Sequence, residues 1–291
     1  MKYKSSTGKN EKIKGKNHLP CSFLSFILFV LFVFFSGCKK EKTETIVEIT
    51  TTEGSFAVKL YNETPQHRDN FLKLAKTGFY DNVLFHRVIA DYLIQSGDPD
   101  SKNASPNRRL GSGSPGYTIP AEINYPAFFH KKGALCAARA DNNNNPQKRS
   151  SGSQFYIAVG TIFTNAELDS IESDILKEQS NVFMQRAISA NHSKIDRLIT
   201  LNDEAGLNAL QDSIAAQAAV EVRKAGIFRF TSEQREAYTS IGGIPYIDKE
   251  YTVFGEVIKG LDIIEKIASA ETDRNNRPRH PIRIISAKQL Q

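Results

Sequence analysis

Phe85-His86-Arg87-Val88-Ile89-Ala90-Asp91-Tyr92-Leu93-Ile94-Gln95-Ser96-Gly97-Asp98 is the stretch on which the reading of this chain turns. It alternates like a β-strand while placing an arginine, two large apolar side chains and a glutamine along one face. Arg87 and Gln95 stand an even number of residues apart, so an extended strand points both the same way. A cationic donor beside an apolar recess suits a substrate that is itself apolar but has one amide to be polarised.

Upstream, Thr45–Thr51 and Ser55–Leu60 alternate as strands around a turn at Thr52-Glu53-Gly54. Thr64-Pro65 opens a helix, with Thr64 as capping residue and proline at the first position. Its apolar face carries Phe71, Leu72, Leu74 and Ala75, and Gly78 ends it. From 163 to 242 the pattern turns helical. Thr164-Asn165-Ala166-Glu167 reads as a capping box, and Leu168, Ile171, Ile175 and Leu176 follow at helical spacing. A second helix runs from Asn202 through Leu207, Leu210, Ile214 and Ala218 to a stop at Gly226, and Thr231-Ser232-Glu233-Gln234 caps a third.

The Phe85–Asp98 stretch resembles the signature of the cyclophilins, whose usual form reads F-H-R-[VI]-I-P-x-F-M-x-Q-G-G-D. The likeness extends to Asn70-Phe71-Leu72 and Gly78-Phe79-Tyr80-Asp81, and places the signature strand at Val83–Ala90. Lys132–Ala140 and Ser151–Ile157 resemble the family's G-x-[LV]-x-M-A-x-A and S-Q-F-F-I strands, with the Asn-rich 141–150 segment as a solvated loop between them. Tyr251–Val257 and Gly260–Ile267 resemble its V-F-G-x-V strand and second helix, and Pro281–Lys288 closes the sheet. The resemblance implies a mainly β fold: an eight-stranded antiparallel β-barrel closed by two helices. Into it the helical subdomain is inserted, which divides the chain into barrel segments 45–162 and 243–291 around the 163–242 insertion.

It also implies peptidyl-prolyl cis/trans isomerisation, and the residues suit that chemistry. An X–Pro bond resists rotation by about 18–20 kcal/mol because of amide resonance. Rotation takes the nitrogen lone pair out of conjugation, so a donor aimed at that nitrogen is satisfied only in the twisted state. By this likeness Arg87 is the donor, with Gln95 and Tyr92 beside it as catalytic residues. Tyr92, Leu93, Tyr156 and Ile247 line the proline recess, while Ala138, Arg139 and Gln154 hold the substrate backbone. Tyr246 and Tyr251 stand where the family often has Trp and His. Phenylalanines have become tyrosines at 92 and 156, putting hydroxyls near an apolar site unless they point to solvent. His86 alternates away from Arg87 and reads as structural. No cofactor is implied, and the histidines and acids show no metal spacing.

The N-terminus reads as a targeting segment. Six lysines precede an apolar run from Phe23 to Phe35, followed by Ser36-Gly37-Cys38. The run is shorter than the about 20 residues a spanning helix needs. Small residues before a cysteine resemble a lipobox, which implies a signal peptide over 1–37, lipidation of Cys38 and a tether over 38–44. The expected location is therefore the bacterial cell envelope, lipid-anchored, with the outer membrane as the expected site and Lys39 compatible with that sorting. The leader's six lysines and single acid account for five of the six net positive charges, so the basic balance is no footprint for nucleic acid. Cys21 leaves with the leader and Cys136, flanked by Leu135 and Ala137, reads as a small core residue. The expected partners are proline-containing unfolded or extracytoplasmic proteins, and the membrane through the N-terminal lipid. The rival function is a chaperone or adaptor that binds unfolded clients through the groove and helical arm with little isomerase activity.

Overall fold

The computed structural model describes residues 44–290. The segment read as a signal peptide (1–37), Cys38 and all of the segment read as a tether except Glu44 lie outside the described residues. Among the described residues, no helix is long and apolar enough to cross a membrane.

The described residues form ten strands: β1 (Thr45–Thr51), β2 (Gly54–Leu60), β3 (Arg87–Ile89), β4 (Leu93–Ser96), β5 (Thr118–Ile119), β6 (Ala134–Ala137), β7 (Ser150–Ser151), β8 (Phe155–Ala158), β9 (Val253–Lys259) and β10 (Ile284–Gln289). Eight make one antiparallel sheet in the order β10-β1-β2-β9-β6-β8-β4-β3, and β5 pairs with β7. The sheet curls so that the segment entering β3 bonds the segment entering β10. The Asn82 N–H donates to the Ile284 carbonyl at 2.8 Å and the Phe85 N–H to that of Ile282 at 2.9 Å.

Strand periodicity explains the two apolar layers. Along β8, Phe155 and Ile157 face the barrel interior with Val47, Phe56, Ile94 and Leu135. Tyr156 and Ala158 face outward, into a second cluster with Leu93, Cys136, Ile244 and Val253. Both faces of β8 are therefore buried, because residues after the insertion roof its outer side. Cys136 is fully buried in that outer layer, and burial pushes its thiol well above the ordinary range.

Helix α1 (Pro65–Lys76) lays Phe71, Leu74 and Ala75 on the interior cluster, and a later helix over Leu261–Ala268 lays Ile264, Ile267 and Ala268 on it. Each of the larger of these, Phe71, Leu74, Ile264 and Ile267, contributes about 1.5–3 kcal/mol on full burial. Thr64 flanks α1 but makes no capping bond; its hydroxyl turns back to the Tyr61 carbonyl. The cap comes from Glu122, whose carboxylate accepts from the Gln66 N–H at 3.1 Å and the His67 N–H at 3.0 Å. A carboxylate at a helix N-terminus also meets the positive end of the macrodipole.

The 163–242 region forms α2 (Asn165–Ala190), α3 (His192–Thr200), α4 (Glu204–Ala225) and α5 (Ser232–Ser240), making the helix over Leu261–Ala268 α6. Capping boxes at Thr164–Glu167 and Thr231–Gln234 open α2 and α5, and Gly226 ends α4 at φ 80°. The start of α4 differs by one residue from the sequence reading: Asp203, not Asn202, supplies the cap, accepting from the Gly206 N–H at 2.8 Å. Phe129, Leu168, Phe228, Phe230 and Tyr238 form a third apolar cluster at the insertion's root.

Beside it the buried Glu172 carboxylate accepts from Arg229 at 2.9 Å, from Arg235 at 2.8 Å and from the Phe230 N–H at 2.8 Å. Replacing Glu172 with alanine is expected to cost about 1–3 kcal/mol, chiefly through the unpaired Phe230 amide. The two arginines are partly exposed and regain water. An unchanged urea midpoint for this variant would show that the carboxylate contributes nothing net.

Candidate active site

The decisive stretch is not one strand. Asp91, at φ 56°, turns the chain between β3 and β4, so Val83–Ala90 yields only the three-residue β3. Arg87 and Gln95 become direct cross-strand partners, with Val88 opposite Ile94 and Ile89 opposite Leu93. The parity argument pointed both side chains to one face; the hairpin also makes them neighbours.

From Arg87 a polar line runs across the barrel. Its Nη1 donates to Gln95 Oε1 at 3.2 Å, and Gln95 Nε2 donates to Gln154 Oε1 at 3.1 Å. Gln154 Nε2 then donates to the Gly113 carbonyl at 2.8 Å and the Gly111 carbonyl at 3.0 Å. Each amide is thereby oriented, and none is left to rotate. Arg87 is half-buried and forms no ion pair with a carboxylate among the described residues, so its positive charge stays uncompensated at the groove. A cleft of about 350 Å³ lies beside it, lined in part by Gln95, Ala138, Arg139, Arg149 and Gln154.

The apolar wall adjoins this line. Leu93 and Tyr156 are buried in the outer cluster, against which Tyr92, Ala138, Ile247 and Tyr251 pack. Tyr246, half-exposed, stacks on Tyr92 with ring centroids 6.3 Å apart, and the Arg87 guanidinium lies 5.9 Å from the Tyr92 ring. Of the eleven residues chosen from the sequence, Gln95, Ala138, Arg139 and Gln154 line the cleft, and the others lie in the adjoining apolar cluster or against its residues.

Three positions act differently from their sequence reading. The Tyr156 hydroxyl faces neither the recess nor solvent; it meets His130 Nε2 at 3.0 Å in the buried layer. The ring edge is thus left apolar toward the groove, and burial holds the phenol well above its ordinary range. Ala138 uses both main-chain groups within the protein, its N–H donating to Gln154 and its carbonyl accepting from Ser151. Arg139 is also occupied. Its guanidinium lies 4.5 Å from the Tyr251 ring and bonds the Glu250 carbonyl and carboxylate at 2.8 and 2.9 Å. It braces Tyr251 at the edge of the cleft. Sequence reasoning missed Glu250, His130 and Asp248, since no spacing links His130 to a carboxylate 118 residues later.

His86 is buried behind Arg87, and neither ring nitrogen has a hydrogen-bond partner among the described residues. Burial pushes its imidazole down to about 4, against the pull of the nearby Asp98 carboxylate. Between about 6.5 and 4 the unfolded chain therefore binds the proton that the folded one refuses, and stability falls as pH falls through that window. From pH 7 to pH 4 the wild type is expected to lose about 3 kcal/mol more than a His86→Gln variant, from 1.36 kcal/mol per unit. Urea titrations at both pH values check this; equal losses would remove His86 from the account.

A sequence profile described as cyclophilin type peptidyl-prolyl cis-trans isomerase/CLD matches residues 46–185 and 222–289. Peptidyl-prolyl cis-trans isomerase CYP18-2 of Arabidopsis thaliana is 25% identical over 243 residues, covering 83% of this chain and 92% of that protein. A Staphylococcus aureus protein named for the same activity is 27% identical over 247 residues, covering 84% and 92%. Among solved structures, a Cryptosporidium parvum cyclophilin type peptidyl-prolyl cis-trans isomerase aligns with TM-score 0.49 at 18% identity, over 86% of this chain and 99% of that one.

Proposed function

From the premise that this chain belongs to the cyclophilin family and is a peptidyl-prolyl cis-trans isomerase, we propose that Arg87 drives the rotation by donating to the prolyl nitrogen. The observation that carries this reading is the Arg87–Gln95–Gln154 line beside an apolar, tyrosine-rich cluster. The prolyl ring sits against Leu93, Tyr156 and Ile247, with Tyr92 and Tyr251 at the sides. Gln154 and the Arg139 main chain hold the flanking peptide. As the bond twists, the nitrogen becomes pyramidal and basic, and a fixed guanidinium stabilises that state without tightening the planar one. Arginine also keeps its charge in a partly dry groove, where a lysine can lose it. The assay is isomerisation of a short proline peptide by the wild type and by Arg87→Ala. A wild-type rate no faster than the uncatalysed one would overturn the reading.

The substrates are proline-containing unfolded proteins of the bacterial envelope, reached from a lipid anchor at Cys38. Support comes from the lysine-rich leader, the apolar run from Phe23 and the Ser36-Gly37-Cys38 junction. Labelled palmitate fed to cells is expected in the mature protein and absent from a Cys38→Ala variant. Equal labelling of the two would exclude this anchor.

A further inference from the structure

Four buried polar groups run in a chain from the proline recess into the helical insertion. The Tyr156 hydroxyl lies 3.0 Å from His130 Nε2, and His130 Nδ1 lies 2.8 Å from Asp248 Oδ1. The Tyr238 hydroxyl donates to Asp248 Oδ2 at 2.7 Å, and the His130 N–H donates to Asp248 Oδ1 at 2.9 Å. The side chains of His130 and Asp248 are each only 1% exposed, and Tyr238 is fully buried. With a neutral ring, one tautomer satisfies every atom. A carboxylate only accepts, so Nδ1–H donates to Asp248 and Nε2 accepts from Tyr156.

The four residues come from four separate places. Tyr156 is on β8 in the recess wall, and His130 precedes β6. Asp248 directly follows the Pro245–Ile247 turn, which carries Tyr246 and Ile247 of the recess. Tyr238 is on α5 and is gripped by the apolar cluster at the insertion's root, with Phe129 of the barrel segment at 5.5 Å and Phe230 and Phe163 of the insertion at 5.6 and 6.4 Å between ring centroids. Helix α2 also packs beside the Pro245–Ile247 turn.

An apolar filling of the same space would be about as stable, since buried charged groups commonly break even against packed hydrocarbon. What directional bonds add is a single arrangement of the parts they join. Here those parts are the Tyr156 ring, the Tyr246–Ile247 turn and α5. We propose that the helical insertion is the positioning element of the proline recess: Tyr238, acting through Asp248 and His130, sets the Tyr156 ring and the Tyr246–Ile247 turn. Tyr238, Asp248 and His130 are thus positioning residues that never meet the substrate. This assignment rests on the isomerase reading.

The test is a double-mutant cycle in the full chain, with kcat and KM on a proline tetrapeptide and a urea midpoint for each variant. The recess wall holds the prolyl ring equally in the planar and twisted states, so loosening it acts on KM. Tyr238→Phe is expected to raise KM about 3- to 10-fold with kcat within about twofold, the scale of one net hydrogen bond. In a Tyr156→Phe background, where the connection is already cut, adding Tyr238→Phe is expected to change KM by less than about twofold. An unchanged KM in Tyr238→Phe, or the same rise in both backgrounds, would overturn the proposal. Should Tyr238→Phe fail to fold, Asp248→Asn enters the same cycle with the same two outcomes. Arg87→Ala is the control: an inactive wild type would sink the isomerase reading, whereas an active wild type with an indifferent Tyr238 sinks only this inference.

Discussion

Arg87→Ala is expected to lower kcat/KM on a proline tetrapeptide by about 10²–10³, with the fold and the urea midpoint nearly unchanged. The size follows from single preorganised donors in other active sites, whose loss costs about 3–4 kcal/mol of transition-state stabilisation. Gln95 accepts from Arg87 at 3.2 Å and keeps its second bond to Gln154 after the substitution, so the groove stays assembled. Arg87 also makes no ion pair that the fold would miss among the described residues. The loss should appear in kcat, because the bond to the prolyl nitrogen exists only in the twisted state. Arg87→Lys is expected to recover only part of it, since a compact ammonium lacks the planar fork that addresses nitrogen and Gln95 together. Coupled-protease or NMR exchange kinetics check both variants. A loss under tenfold would move the catalytic burden from Arg87 to the recess.

Gly160→Ala is expected to be strongly damaging, costing about 2–4 kcal/mol and disordering the recess. Gly160 follows β8 at φ 59°, a left-handed conformation that a Cβ penalises by roughly 1–2 kcal/mol. A methyl group there would also overlap the carbonyl of Gly243, and a backbone neighbour cannot rotate away. The Gly160 N–H bonds the Tyr92 carbonyl at 3.1 Å, and Gly243 bonds the Thr161 carbonyl at 3.0 Å. Spreading this crossing therefore pulls on the β3–β4 turn and on the strand of chain that carries Tyr246, Ile247 and Tyr251. Urea unfolding and kcat/KM are expected to fall together. A variant with wild-type stability would mean the crossing is looser than its close approach implies.

What was legible in the sequence was what neighbours in sequence decide. The β1–β2 hairpin, the capping boxes at Thr164 and Thr231, the stop at Gly226 and the two faces of β8 all follow from local bonds or from a period of two or 3.6. The Phe85–Asp98 stretch also carried the family and its groove, because Arg87, Tyr92, Leu93 and Gln95 lie within nine residues. A local pattern could not say that Asp91 bends this stretch into a hairpin, since alternation survives the three-residue turn Ala90-Asp91-Tyr92 unchanged.

Other features belong to the tertiary structure alone. Glu122 takes over the cap of α1 from 55 residues away, a substitution no propensity at Thr64 announces. Arg139 is drawn off to brace Tyr251 only because Glu250 is folded against it. The Tyr156 hydroxyl looked like a flaw in an apolar recess until His130, Asp248 and Tyr238 converged on it from separate parts of the chain. By itself the sequence determined the local strands, turns and helix caps, which rest on short-range periodicity, and through its compact motifs the family resemblance that implied the barrel and the groove residues. Only the tertiary structure decided which polar atoms find partners, because a buried donor must be matched by whatever the fold brings within about 3 Å of it, however distant in sequence.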